Sequence, residues 1–102
     1  MAPKKSTKPA LAAPHTYNVG DAVFIRTVTN YYTGKIVEVL PFGGYLLTDA
    51  AWIADTGRFA ALFQTGRPSE VEPYPDNIGV EVRGGAILDV CAWDHPLPRS
   101  QV

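Results

Sequence analysis

The stretch Val19-Gly20-Asp21-Ala22-Val23-Phe24-Ile25, with Thr33-Gly34-Lys35-Ile36-Val37 after it, decides how this chain folds. A glycine-aspartate turn launches a strand over Ala22–Thr29, in which Val23 and Ile25 alternate with Ala22, Phe24 and Arg26. Tyr31–Val39 reads as a second strand with Ile36, Val37 and Val39 as its apolar residues. Gly34 inside it marks a bulge or sharp bend, where a side chain would strain a backbone needing positive φ. Pro41-Phe42-Gly43-Gly44 is a hairpin loop and Tyr45–Thr48 a third strand, so the first half is an antiparallel meander with the tight bends of a small barrel.

Beyond the meander the pattern changes. Asp55 or Thr56 is positioned to cap a short helix with Phe59, Leu62 and Phe63 on one face; Gly66 stops it and Pro68 follows. The run from Asp49 to Phe59 reads as an insertion over the barrel mouth, with Trp52 plugging the core and Arg58 offered to a neighbour. Val71–Tyr74 is extended, Pro75-Asp76-Asn77 turns, and Ile78–Arg83 and Ala86–Trp93 are strands around Gly84-Gly85. His95-Pro96-Leu97-Pro98-Arg99 leaves as a polyproline-like segment. The expected organisation is an arm over 1–16, a β-barrel domain over 17–95 with a helical insertion around 50–65, and an extended tail over 96–102. The fold class is mainly β: a small SH3-like antiparallel barrel with a short helical insertion and an extended N-terminal arm.

Charge is unevenly placed. The arm, MAPKKSTKPALAAPHT, carries Lys4, Lys5 and Lys8 and no acid, and its three prolines forbid regular structure. Six basic residues against ten carboxylates leave the remainder at −4, which with the arm's +3 makes the chain's −1. An acidic body with a basic arm does not coat nucleic acid with its folded surface, so nucleic acid is not expected as a partner of the body. No apolar run approaches the length of a membrane span, and no hydrophobic stretch follows the N-terminal lysines, which argues against a secretory signal. Cys91 is the only cysteine, so no internal disulfide forms.

The residue inventory argues against chemistry. His15 and His95, the only imidazoles, lie in the proline-rich ends, and Ser6, Ser69 and Ser100 lack a nucleophile-elbow context. Cys91, Asp94 and His95, with Asp89 nearby, fall short of the paired ligands of a tetrahedral metal site. Glu70 and Glu72 share a face if extended, and Asp49 and Asp55 flank a turn; such acids are usually caps or solvated residues. Neither Gly43-Gly44 nor Gly84-Gly85 opens a helix after a strand, as a phosphate loop requires. The expectation is a binding protein that is not an enzyme and uses no cofactor or metal. Its aromatic residues are the informative set. Tyr31 and Tyr32 are adjacent, point to opposite faces of a strand, and are expected to contact a partner. The partner-binding residues expected are therefore Lys4, Lys5, Lys8, Tyr31, Tyr32 and Arg58.

Two resemblances extend this reading. The opening turn, the first strand and the glycine within the second resemble the start of KOW, Tudor and related SH3-like modules. The strings Phe24-Ile25-Arg26-Thr27-Val28-Thr29-Asn30-Tyr31-Tyr32-Thr33-Gly34-Lys35-Ile36 and Asp49-Ala50-Ala51-Trp52-Ile53-Ala54-Asp55-Thr56-Gly57-Arg58-Phe59 resemble a family of small, mostly uncharacterised tailed-phage and prophage proteins, as do Ser69–Pro75 and His95–Arg99. That resemblance implies a virion accessory protein, a capsid decoration (cement) or head-associated structural protein. It would bind phage structural proteins, the major capsid protein first, in the host cytoplasm during assembly and then in the virion. Self-association into a homo-oligomer is compatible with it, and no membrane is involved. The alternative is an intracellular SH3-like adaptor or nucleic-acid-binding module.

Overall fold

The computed structural model describes residues 17–102, so the arm with Lys4, Lys5, Lys8 and His15 lies outside the described residues. Among the described residues there are six strands and one α-helix: β1 (Ala22–Thr27), β2 (Tyr31–Val39), β3 (Tyr45–Asp55), α1 (Phe59–Thr65), β4 (Glu70–Pro73), β5 (Val80–Val82) and β6 (Ile87–Ala92). All pairings are antiparallel, in the order β4-β3-β2-β1-β6, with β5 also on β3. β4 and β5 share one edge of β3: Val71 faces Ile53 and Pro73 faces Ala51, then Val80 faces Leu47 and Val82 faces Tyr45. Across the gap the Tyr74 N–H donates to the Ala50 carbonyl at 2.8 Å. They act as one interrupted strand, and the result is a strongly bent antiparallel sheet.

The bending comes from identifiable residues. β2 shifts register between Thr33 and Lys35 and again between Ile36 and Glu38. Asp49, opposite the first of these bulges, is left-handed at φ 51°. Bulges add twist and turn a strand out of plane, so β2 and β3 curl together. Two cores form as a consequence. Val23, Ile25, Ile36, Tyr45, Leu47, Ala50 and Val82 fill the inside of the bend. Phe24, Ala51, Ile53, Leu62, Val71 and Trp93 pack on its other side, with Phe63 of α1 against them. β1 therefore buries both faces, and Val23, Phe24 and Ile25 are at most 1% exposed.

The structure revises several sequence expectations. Residues 50–55 are the second half of β3 and not part of a helical insertion, because β2 and β4 hold them extended from both edges. Strand alternation then turns Ala51 and Ile53 inward and Trp52 outward, so Trp52 is not a core plug but is 39% exposed. Neither Asp55 nor Thr56 caps α1: the N-cap is Arg58, whose side chain makes no cap bond. The Asp55 carboxylate instead accepts the Gly57 N–H at 2.9 Å and holds the turn before the helix. Gly66 does end α1 in a left-handed conformation, its N–H donating to the Leu62 carbonyl at 2.7 Å. Gly34 sits at a bulge, as read, but is not among the positive-φ glycines. A Cβ there would lie 3.0 Å from the Leu47 side chain, so contact with the core excludes a side chain.

Two stability consequences follow from these placements. Gly34→Val should cost about 1–3 kcal/mol through overpacking against Leu47. Phe24→Ala should cost about 3–5 kcal/mol as a core aromatic deletion, and Trp52→Ala less than half of that. Urea denaturation of the three variants checks both, and equal losses for Phe24 and Trp52 would contradict the burial described.

Candidate nucleic-acid interface

Two short turns, distant in sequence, meet at the end of the sheet where β2 leads into β3 and β5 into β6. The first, Pro41–Gly43, is a 3-10 turn closed by the Leu40 N–H donating to the Gly44 carbonyl at 2.8 Å. The second, Gly84–Ala86, is closed by the Ala86 N–H donating to the Arg83 carbonyl at 3.0 Å. Their backbones touch. A Cβ on Gly84 would fall 2.0 Å from the Phe42 carbonyl oxygen, and one on Gly44 would fall 2.7 Å from the Val82 carbonyl oxygen. Only glycine allows this approach, and it locks one turn against the other.

The lock presents two side chains. Phe42 is held at φ 64°, ψ 24°, a region that costs a bulky residue of order 1 kcal/mol or more, and its ring is 98% exposed. An apolar ring gains nothing from water, so its position is not explained by packing. Arg83 stands on the other turn with its side chain 81% exposed and, among the described residues, is paired with Glu81 at 2.9 Å. A fully exposed ion pair of this kind holds its partner weakly, and the guanidinium is available to another anion. A shallow cleft of about 340 Å³ lies between the turns, lined by Leu40, Phe42, Glu81, Arg83 and Gly85 among others. A flat apolar ring, a cation and exposed turn backbone around a shallow cleft are the elements that stack and neutralise an unpaired nucleotide.

The residues singled out from the sequence do not converge. Tyr31 stacks on Phe24 at 5.7 Å in the helix-side core, whereas Tyr32 packs half-buried on the inner core and its hydroxyl accepts from Asn30 Nδ2 at 3.4 Å. Arg58 is exposed at the start of α1. Tyr31 and Tyr32 therefore serve two cores and make no common anchor. A second cleft, about 420 Å³ between α1 and the β1–β6 pair, is walled by Phe24, Tyr31, Phe59, Phe63 and Cys91. Its rings pack on each other, and burial, with the charge of Asp89 in support, pushes the Cys91 thiol up. His95 packs on Trp93 at 5.3 Å and bonds the Phe63 carbonyl through Nε2 at 2.7 Å. Among the described residues no group of three or more His, Cys, Asp or Glu is placed to hold a metal.

The Phe42–Arg83 site escaped the sequence reading. Its signal was an aromatic residue in a hairpin loop, beside one of two paired glycines that had no phosphate-loop context.

No family model matches the chain, and no curated protein matches it. Solved structures do. One is a heptameric archaeal Sm protein whose structure was taken to bear on the eukaryotic snRNP core. It is 19% identical with a TM-score of 0.52, over 72% of this chain and 87% of that one. Another is the SmAP1 heptamer of P. aerophilum, at 19% identity and the same TM-score, over 72% of this chain and 80% of that one. At this identity the likeness is one of fold: a small Sm-type β-barrel rather than an SH3 barrel specifically. The expectation of a phage capsid decoration or head-associated virion protein bound to a major capsid protein is corrected by this likeness. The aromatic surface on which it leaned is also divided between two cores.

Gly84→Ala and Gly85→Ala separate lock from loop. Gly84→Ala should cost about 2 kcal/mol or more, since carbonyl backbone stands where its Cβ must go. Nothing lies within 4 Å of a Cβ on Gly85, so Gly85→Ala should stay within about 0.5 kcal/mol of the parent. Denaturant melts, with amide shifts of residues 42–44 as the local readout, check the contrast.

Proposed function

We propose that this chain is a non-catalytic module that binds single-stranded nucleic acid, RNA in the first instance, through Phe42 and Arg83. We further propose that copies associate through their sheet edges, setting several such sites side by side. The observation that carries the reading is the Phe42 ring, 98% exposed and held left-handed beside an exposed arginine. The fold likeness supports it, because the proteins concerned are heptamers and one of them bears on a ribonucleoprotein core.

The −4 charge of residues 17–102 told against nucleic acid in the sequence reading. That argument concerns duplex-coating surfaces, which depend on many phosphate contacts. Stacking on an aromatic ring needs no basic stripe, and contributes about 1–3 kcal/mol per base. Repetition of a weak site over several copies raises the apparent affinity without adding contacts. Lys4, Lys5 and Lys8 add positive charge to the chain and would strengthen binding to a polyanion.

Fluorescence anisotropy with a labelled single-stranded RNA of roughly ten nucleotides tests the proposal. Phe42→Ala should weaken binding by about tenfold, within the range expected for one lost stacking contact, with the melting temperature unchanged. Arg83→Ala should weaken it less and flatten its salt dependence by about one phosphate contact. Duplex DNA of the same length should bind more weakly than the single strand. Indifference of RNA binding to Phe42→Ala would reject this site.

A further inference from the structure

β4 offers little along its outer edge. Every residue of β4 is in register with β3. Val71 turns its N–H and carbonyl outward to Val102, so strand alternation turns those of Glu70 and Glu72 inward, and Pro73 has no N–H. Val71 is left as the one residue of β4 that can donate outward, and its groups are taken. The Val71 N–H donates to the Val102 carbonyl and the Val102 N–H to the Val71 carbonyl, each at 3.2 Å. The chain after β6 is brought back to this edge by a clamp. Arg99 donates to the Ala50 carbonyl at 3.1 Å, the Tyr74 carbonyl at 2.9 Å and the Asp76 carboxylate at 2.8 Å. Gln101 Nε2 donates to the Glu72 carboxylate at 2.7 Å. These contacts fall on β4, on Ala50 of β3 and on the interruption between β4 and β5.

The sheet's other end is different. β6 pairs with β1 along one edge and has no strand on its other edge among the described residues. An open edge is a template for strand addition, and proteins normally cover or blunt it. One chain thus carries an open β6 edge and, at the far side of the sheet, a β4 edge whose single outward donor is occupied from within, with β5 continuing that side beyond the interruption. The two lie at opposite ends of one sheet, so joining them between copies gives a head-to-tail contact that repeats around a ring or along a filament.

We infer that residues 99–102 form an in-chain strap that competes for the β4 edge and leaves Val71 before β6 of a second copy pairs there. The inference rests on the edge-to-edge association proposed above and adds what controls it. The strap lowers the tendency of dilute chains to assemble, and assembly exchanges an intramolecular pair for an intermolecular one. Its hold is weak at the tip, where only the reciprocal Val71–Val102 bonds and Gln101 act, and firmer at Arg99.

The test compares the full chain with a form ending at Ser100, which keeps the Arg99 clamp and loses the strand-pairing tip. Sedimentation velocity over a dilution series gives the concentration at half assembly, and amide exchange at Val71 reports the edge. The shortened chain should reach half assembly at a concentration about tenfold lower, as expected for removing a competitor held by two backbone hydrogen bonds. Its Val71 amide should exchange fast in the monomer and slowly in the assembly. Val102→Pro, which keeps the chain length, removes the donated N–H and puts the ring Cδ in its place against the Val71 carbonyl, should move the midpoint in the same direction and covers the event that truncation disturbs folding. A midpoint unchanged or raised in both variants overturns the strap and leaves edge-to-edge association standing. Absence of assembly in every form at all concentrations overturns both.

Discussion

Burial of β1 on both faces is the constraint on which the rest of the molecule depends. With Val23 and Ile25 turned to the inner core and Phe24 to the helix side, this strand needs cover above and below as well as partners at its edges. The inner cover comes from the curl of β2 and β3, and the outer cover from α1 and Trp93. Phe24 contacts the rings of Tyr31, Phe59, Phe63 and Trp93 at 5.2–6.0 Å, so one side chain gathers the second core. A seven-residue helix has little stability of its own, and α1 is held by what Leu62 and Phe63 add to that cluster.

The meander was legible because its signals are local. Alternation in Ala22–Thr27, the glycine of β2 and the Pro-Phe-Gly-Gly turn each act within a few residues, and β1, β2 and the start of β3 lie where those signals put them. Residues 50–55 were not legible in the same way. Ala50-Ala51-Trp52-Ile53-Ala54 suits a helix or a strand equally, and the pairings that decide it come from β2 on one edge and, on the other, from β4 beyond the helix. The side of β3 on which Trp52 falls follows from that pairing, not from hydrophobicity. Gly34 was read for its conformational freedom, whereas what excludes a side chain there is Leu47 on a neighbouring strand. The tyrosine pair was read as pointing to opposite faces and contacting a partner; the opposite faces hold, but each face is a core, so the rings are used in packing.

The site at Phe42 and Arg83 shows why a binding surface can be missed when each half is ordinary. A hairpin loop with glycines and a glycine-glycine turn are common separately. They become a site only when the bent sheet brings the β2–β3 and β5–β6 connections together with too little room for a Cβ between them. The rigid contact fixes the spacing of the two backbones from which the ring and the guanidinium project, so less order has to be imposed when a ligand arrives. Among the described residues, the interaction competing for the arginine is the local Glu81 carboxylate.

The long reach of the β1–β6 pairing has a consequence for how the chain comes to its shape in time. Arg26 and Asp89, joined across that pairing, stand 63 positions apart. The β1–β2–β3 meander closes from near neighbours and can form early, whereas closure with β6 carries a large loop entropy and comes late. During synthesis the first three strands emerge well before the segment that seals them. Until β6 arrives, one edge of β1 and the apolar face of Phe24 are open to whatever lies near the ribosome. Such an interval favours mispairing between nascent chains at high expression, and the apolar rings that later gather the second core are the groups most exposed to it.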